Sequence, residues 1–445
     1  MTKKSLVVLL ILALSIAMFS GCGKEETGED VSTGTDTSSQ ESTTNDGDSD
    51  SADNEKEDVK LDILWFADGV ETEAMQKVMD NYKVENPHVE FNMIEVAYSD
   101  LDSKLKTMIA GGTPPAIARV TNPGLLFDHA QDLSEFMGGY DTFTEQYMDS
   151  LEPYYTKDGG VYAVPMDVTA NGLIYNKTLF DQAGVAVPGS PEEVWTWEEF
   201  EQAVIEVKEN SDARYGLLWD VTSHRWSTLL YEFGGSIINE AGDGPAINNE
   251  QGVAAMNYFK KLHDTDVIPK SVWLGGENPN NLFRSGTAVA HLSGNWMLSN
   301  YRDITDFEWG VTYAPKQATR SSVPGGKYMM PFKNTGVEEE AMKFLEYFAK
   351  AENTGQYCSD SLFISPRLDN SELDYEYGKE MFAIFSNELA NTPPAAAKDW
   401  SRQDIMPVVN PDITDAIKDV LMGEAEAQEA LDKVAQLITE TIEAQ

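Results

Sequence analysis

The sequence predicts an α/β protein of more than one domain, and three observations lead there. Apolar runs of strand length alternate with amphipathic stretches of helical period from residue 61 onward. The pattern starts afresh near Leu173. The 445 residues exceed what one hydrophobic core holds, about 250–300. With 41% hydrophobic and 10% aromatic residues, the chain has the material for sizeable cores.

Leu61-Asp62-Ile63-Leu64-Trp65 alternates and then turns fully apolar, as an opening strand does. Thr72 is placed to cap a helix carrying Met75, Val78, Met79 and Tyr82 on one face, and Asn86-Pro87 ends it. Val89 to Val96 reads as a second strand. Lys104 to Ile109 reads as a helix closed by Gly111-Gly112, and Ala116 to Val120 follows Pro114-Pro115 as a third strand. In the second region Leu173 to Tyr175 is a strand. Thr196-x-x-Glu199 is a capping box ahead of Phe200, Val204 and Val207. Tyr215 to Asp220, Ala288 to Leu292, Trp309 to Ala314 and Tyr328 to Phe332 are further strands. Glu338 to Ala349 is a helix with Ala341, Phe344, Leu345 and Phe348 inward, and a last one carries Val434, Leu437, Ile438 and Ile442.

The first residues are of another kind. Lys3 and Lys4 precede an apolar run from Leu6 to Phe19, then Ser20, Gly21 and Cys22. A charged start, a short apolar stretch and a small-residue exit describe a secretory signal, too short for a comfortable membrane span. Phe19-Ser20-Gly21-Cys22 resembles the bacterial lipobox, which implies a signal peptide over 1–21 and a lipid on Cys22. Residues 22–60 then read as a disordered tether, with thirteen acids after Cys22 against Lys24, Lys56 and Lys60 and almost no large apolar side chain. Asp46-x-Asp48-x-Asp50 lacks the glycine and terminal Glu of a calcium loop. Cys358 remains without a pairing partner, so no internal disulfide is expected.

A net charge of −43 argues against nucleic-acid binding, which needs clustered Lys and Arg. His88, His129, His224, His263 and His291 show no paired metal spacing. No G-x-S-x-G elbow and no P-loop occur, so nothing positive supports an enzyme, a metal or a cofactor.

Several stretches match one family in order and spacing: Val161 to Pro165, Leu173-Ile174-Tyr175-Asn176-Lys177-Thr178-Leu179-Phe180 with Ala183-Gly184-Val185, Trp195-Thr196-Trp197-Glu198-Glu199-Phe200 after Pro188, Phe283 to Ala290, Gly294-Asn295-Trp296, and Gly423 to Leu431. The chain resembles the extracellular solute-binding proteins of family 1, sugar-binding lipoproteins of ABC importers related to maltose-binding protein. Within these motifs Asn176 reads as a turn or cap residue, and Gly286 as a tight turn.

That resemblance implies a two-lobed, periplasmic-binding-protein-like fold of type II with a ligand cleft between the lobes. Lobe 1 would take 61–168, with 310–358 returning to it, and lobe 2 would take 169–309, with 359–445 returning. Crossings are expected near Pro165–Thr169, Trp309–Val311 and Cys358–Ile364. Hydroxyl rims and C–H faces of a sugar call for polar groups beside flat rings. The expected ligand residues are Trp65, Asp68, Arg119, Asn122, Asp167, Thr169, Asn171, Trp219, Trp226, Trp296 and Arg367, with Trp296 at the family's stacking position. Ala116 stands where the family has Asp. The implied partners are a saccharide, the membrane subunits of an ABC permease, and the outer face of a Gram-positive-type cell membrane through Cys22, for a monomeric chain. The alternatives are a polyol phosphate, a polyamine or an amino-acid derivative in the same fold, or a secreted glycoside hydrolase or adhesin.

Overall fold

The computed structural model describes residues 57–67, 69–370 and 372–445. The expected signal peptide, Cys22, nearly all of the tether and Asp68 lie outside them. The described residues belong to one unit, Lys56–Gln445. Its principal strands are β1 (Val59–Trp65), β2 (Val89–Glu95), β3 (Ile117–Val120), β4 (Val164–Thr169), β5 (Asn171–Asn176), β6 (Tyr215–Trp219), β7 (Ala288–Gly294), β8 (Trp309–Thr312) and β9 (Gly325–Pro331).

They make two sheets, ordered β2-β1-β3-β9-β4 and β8-β5-β7-β6. In the first, β1 runs parallel to β2 and β3, and β9 runs antiparallel to β3 and β4. In the second, β6 and β7 are parallel, while β5 is antiparallel to β7 and β8. The apolar runs of the sequence follow from this layering. Leu61, Ile63, Leu64 and Trp65 of β1 are all fully buried, as strands covered on both faces require. The helices Glu71–Glu85, Leu101–Ala110, Glu338–Ala349 and Ala351–Ser361 pack on the first sheet. Lys177–Ala183, Trp197–Asn210, Pro279–Arg284 and Lys379–Ala390 pack on the second.

Local chemistry explains the helix starts. The Glu199 N–H donates to Thr196 Oγ1 at 3.2 Å and the Thr196 N–H to Glu199 Oε2 at 2.7 Å, a complete capping box. Asn176 caps the next helix by accepting from the Leu179 N–H at 3.1 Å, the role its sequence position suggested. Gly286 sits at φ +73°, a turn conformation that a side chain would strain. Thr72 does not cap. It lies inside the Glu71–Glu85 helix, and its hydroxyl accepts the Trp65 indole N–H at 3.1 Å instead.

The chain passes between the sheets at three places. The first crossing is a single residue, Ala170, between β4 and β5, within one residue of the expected segment. The second differs from expectation. Trp309–Thr312 is strand β8 of the second sheet, with Val311 opposite Ile174. Residues 313–323 stay beside that sheet's helices: Ala314 N–H donates to Glu388, Ala318 N–H to the Glu232 carbonyl, and Ser322 N–H to Thr392. The crossing falls at Pro324-Gly325, where β9 begins opposite Thr169. The third also shifts. Cys358 lies in the Ala351–Ser361 helix, its thiol donating to the Met166 carbonyl at 3.2 Å. Ile364 bridges Val168 and Arg367 bridges Tyr147. The chain therefore leaves the first sheet's side only around Tyr375–Gly378, ahead of the Lys379–Ala390 helix on β5 and β8. The alternating strand pattern at Trp309 looked like an exit because sheet membership is not written in periodicity.

Candidate functional site

Topology places the site. The carboxyl ends of β1, β3 and β4 lie on one edge of the first sheet, beside Gly325. The carboxyl ends of β6 and β7 lie on one edge of the second, where Asn171 pairs with Gly294. Because Ala170 alone separates β4 from β5, these two edges meet at the crossings. Ligands in open α/β sheets bind at such carboxyl edges.

On the second sheet's edge stands Trp296, half-buried, two residues after β7. The Arg225 guanidinium lies over its ring, 4.2 Å from the centroid. Gly294 makes room for that ring, since a Cβ there would fall 1.8 Å from Trp296 Cζ3. Gly294→Ala is therefore expected to displace the indole and to weaken ligand binding at least tenfold, while overpacking costs the fold only about 1–3 kcal/mol. Calorimetry alongside urea unfolding checks both numbers.

Asp220 follows β6 on the same edge. His291 Nε2–H donates to its Oδ1 and the Ser293 hydroxyl to its Oδ2, both at 2.9 Å, and Arg225 Nε lies 3.7 Å away. Burial acts to raise this carboxyl, but His291, Arg225 and Ser293 outweigh it and hold Asp220 below the usual carboxylate range. It is thus an anion at neutral pH with its side chain 19% exposed. His224, one residue before Arg225, pairs with the Pro324 carbonyl through Nε2 at 3.3 Å, while its Nδ1 pairs with Arg225. Burial first, and Arg225 second, push His224 well below the ordinary histidine value, so the ring is neutral.

The first sheet's edge contributes Asn122, half-buried after β3, and Thr169, 8% exposed at the end of β4. The loop after β1 abuts the other sheet: a Cβ on Gly69 would meet Ser299 Oγ at 2.3 Å, three residues past Trp296. Tyr98, 57% exposed, packs on Phe66 at a ring distance of 5.1 Å on this same edge.

Of the residues expected from sequence, Trp296, Thr169 and Asn122 reach the converging edges. Others do not. Trp219 is fully buried between Trp197 (5.8 Å) and Phe259 (5.2 Å), and Trp226 is likewise core. Trp65 is buried with its indole N–H on Thr72. Asn171 is buried, holding Thr228 Oγ1 at 3.0 Å and Ser322 Oγ at 2.7 Å. Arg119 and Asp167 are fully buried and linked to each other at 3.8 Å. Arg367 is clamped on the two Asp369 oxygens at 2.8 and 2.7 Å, over the Tyr147 ring. Asp68 lies outside the described residues. Sequence reasoning missed Asp220, Arg225 and Tyr98. The first was within reach, because Asp220 closes a strand recognised from its pattern and carboxyl ends carry sites. Two surface grooves, about 280 and 510 Å³, share Arg302 and Tyr377, and none of the expected ligand residues lines either. Among the described residues no cluster of His, Cys, Asp and Glu fits a metal ion.

Similar proteins share this architecture. A multiple sugar-binding protein of Streptococcus mutans is 24% identical over 68% of this chain and 74% of its own. The GacH receptor of Streptomyces glaucescens, solved unliganded and with acarbose, superposes with a TM-score of 0.74 at 21% identity, covering 86% of this chain and 98% of its own. An ABC substrate-binding protein of Listeria monocytogenes in complex with cycloalternan gives 0.72 at 22% identity, covering 86% and 99%. These neighbours carry the two-lobed fold that the two sheets and three crossings build here. The description of bacterial extracellular solute-binding proteins matches residues 77–381, and the chain belongs to that family.

Proposed function

We propose that this chain is the capture protein of an ABC importer and that its solute is a saccharide. The half-buried Trp296, joined through Arg225 to the Asp220 anion on the edge where both sheets' carboxyl ends converge, carries the reading. An indole face suits sugar C–H groups, while Asp220, Asn122 and Thr169 suit hydroxyls. Arg225 on the ring holds the indole in place. Two relatives are named for multiple sugars and lactose, which supports the same solute class.

In this reading the lobes close about the three crossings, the solute is dehydrated, and no bond is made or broken. The lobes take the two sheets with their helices, with 313–323 assigned to lobe 2 and 362–370 to lobe 1. Cys22 carries the lipid that holds the chain on the outer face of the membrane, where a permease accepts the solute from a monomer. Stable anchoring takes more than one acyl chain.

A panel of mono- and oligosaccharides read by thermal shift tests the solute class. A ligand that binds only the folded state raises the melting temperature, by RT ln(1 + [L]/Kd) in free energy, so a binder at 100 times its Kd adds about 2.7 kcal/mol. At least one saccharide is expected to do so and to be recovered unchanged by mass spectrometry. No shift across the panel sinks the saccharide reading, and a cleaved sugar sinks the non-catalytic one.

A further inference from the structure

Behind the loop that follows β1 runs a chain of buried charges. Glu71 Oε2 accepts the Gly69 N–H at 2.6 Å. Arg119 of β3 reaches Glu71 Oε1 at 3.3 Å, donates to the Phe66 carbonyl, and lies over the Phe66 ring at 4.4 Å. The same guanidinium is 3.8 Å from Asp167 Oδ2, and Lys327 Nζ is 3.5 Å from Asp167 Oδ1. Side chains of all four are no more than 6% exposed.

The positions of these groups matter more than their number. Asp167 is on β4, three residues before the first crossing. Lys327 is on β9, directly opposite Asp167 and two residues after the second crossing, and a register shift follows it. Its ammonium also sits 3.7 Å from the centre of the Phe363 ring. The Phe363 carbonyl in turn accepts the Tyr375 hydroxyl at 2.8 Å, where the third crossing starts. One cation thus sits just past the second crossing, pairs with the strand that enters the first, and reaches the start of the third through Phe363, while its carboxylate partner leads through Arg119 to the residues after β1. Buried charges hold geometry strictly, because separating them exposes each to an uncompensated desolvation penalty.

We infer that Lys327, through Asp167, Arg119 and Glu71, is a positioning residue that couples Phe66 and Gly69, just after β1, to the interlobe crossings, so that their placement and the lobe angle change together. This rests on the capture reading for its purpose but not for its test.

The test uses the full chain with Cys22→Ser and spin labels at Lys106→Cys and Glu209→Cys, exposed positions on helices of the two sheets. Cys358 is buried and its thiol is pushed well up by burial, so it does not take label. Electron–electron distance distributions and amide exchange of Gly69 are measured without any ligand for wild type, Lys327→Met and Lys327→Arg. Lys327→Met is expected to shift or broaden the interlobe distribution and to raise Gly69 exchange at least tenfold, with Lys327→Arg restoring both. Asp167→Asn, which breaks the chain at its centre with an isosteric group, is expected to match Lys327→Met and serves if that variant does not fold. A variant that only melts earlier, with distribution and Gly69 exchange unmoved, overturns the coupling. Silence of the saccharide panel sinks the ligand reading alone, since neither readout here needs a sugar.

Discussion

Trp296→Ala is expected to weaken saccharide binding at least 30-fold, about 2 kcal/mol, while leaving the unfolding midpoint nearly unmoved. The two effects separate because of where the ring sits. Trp296 is half-buried at the mouth of the converging edges, with Arg225 over it at 4.2 Å. Its loss removes a flat apolar surface from a binding face without opening a cavity in the core. Trp219→Ala should do the reverse, since that ring fills space between Trp197 and Phe259 and its removal leaves a void worth about 3–5 kcal/mol. Calorimetric titration with a saccharide found by the panel decides the matter. An unchanged Kd for Trp296→Ala removes its stacking role.

The second large effect concerns stability. Arg320 is held in a pocket beside the second sheet, its side chain 9% exposed, with Nη2 2.7 Å from Glu388 Oε1 and Nη1 donating to Asn387 at 2.9 Å. Glu388 is fully buried and also accepts the Ala314 N–H at 2.9 Å. Burial raises its carboxyl above the ordinary 4.5, and Arg320 only partly opposes this. A carboxyl raised in the folded state holds its proton more tightly there than in the unfolded chain. Its stabilising contribution is full below the unfolded value and is lost as pH rises through the folded one. Removing Arg320 takes away the opposing cation and lifts the folded value further. Arg320→Ala is therefore expected to lose about 3–5 kcal/mol at neutral pH and above, and progressively less as pH falls through the raised Glu388 value and the carboxyl takes up its proton. Urea unfolding across that range checks it. A deficit independent of pH would mean that lost packing, rather than the stranded carboxylate, dominates.

Nearly all the regular elements were legible, because period and caps are local properties. The Thr196 capping box and the Glu338–Ala349 helix stand where their sequence puts them. What stayed hidden depends on which way a ring points. Trp65 and Trp219 end strands and Trp296 stands two residues past one, and the room made by Gly294 lets only the last of them meet solvent. Arg119 and Asp167 illustrate a second limit. A charged residue near the carboxyl end of a strand reads as a ligand contact when its buried counter-ion comes from residues far away in sequence, here Glu71 and Lys327. Thr72 was misread as a cap for a similar reason, its hydroxyl being claimed by an indole seven residues earlier.

Asn295 joins Trp296 to the first crossing. Its side chain accepts the Ala170 N–H at 2.9 Å, and its own N–H donates to the Ala170 carbonyl at 3.1 Å. The neighbouring indole therefore lies almost on the first crossing, which is the pivot of closure in the proposed capture reading. A point on a pivot travels little, whereas in that reading Phe66, Gly69 and Tyr98 belong to the side that swings. In the proposed capture reading this gives an order: the solute lands on a platform already in place, and the opposite side arrives afterwards as a lid. Losses on either side then register mainly in how long the solute stays.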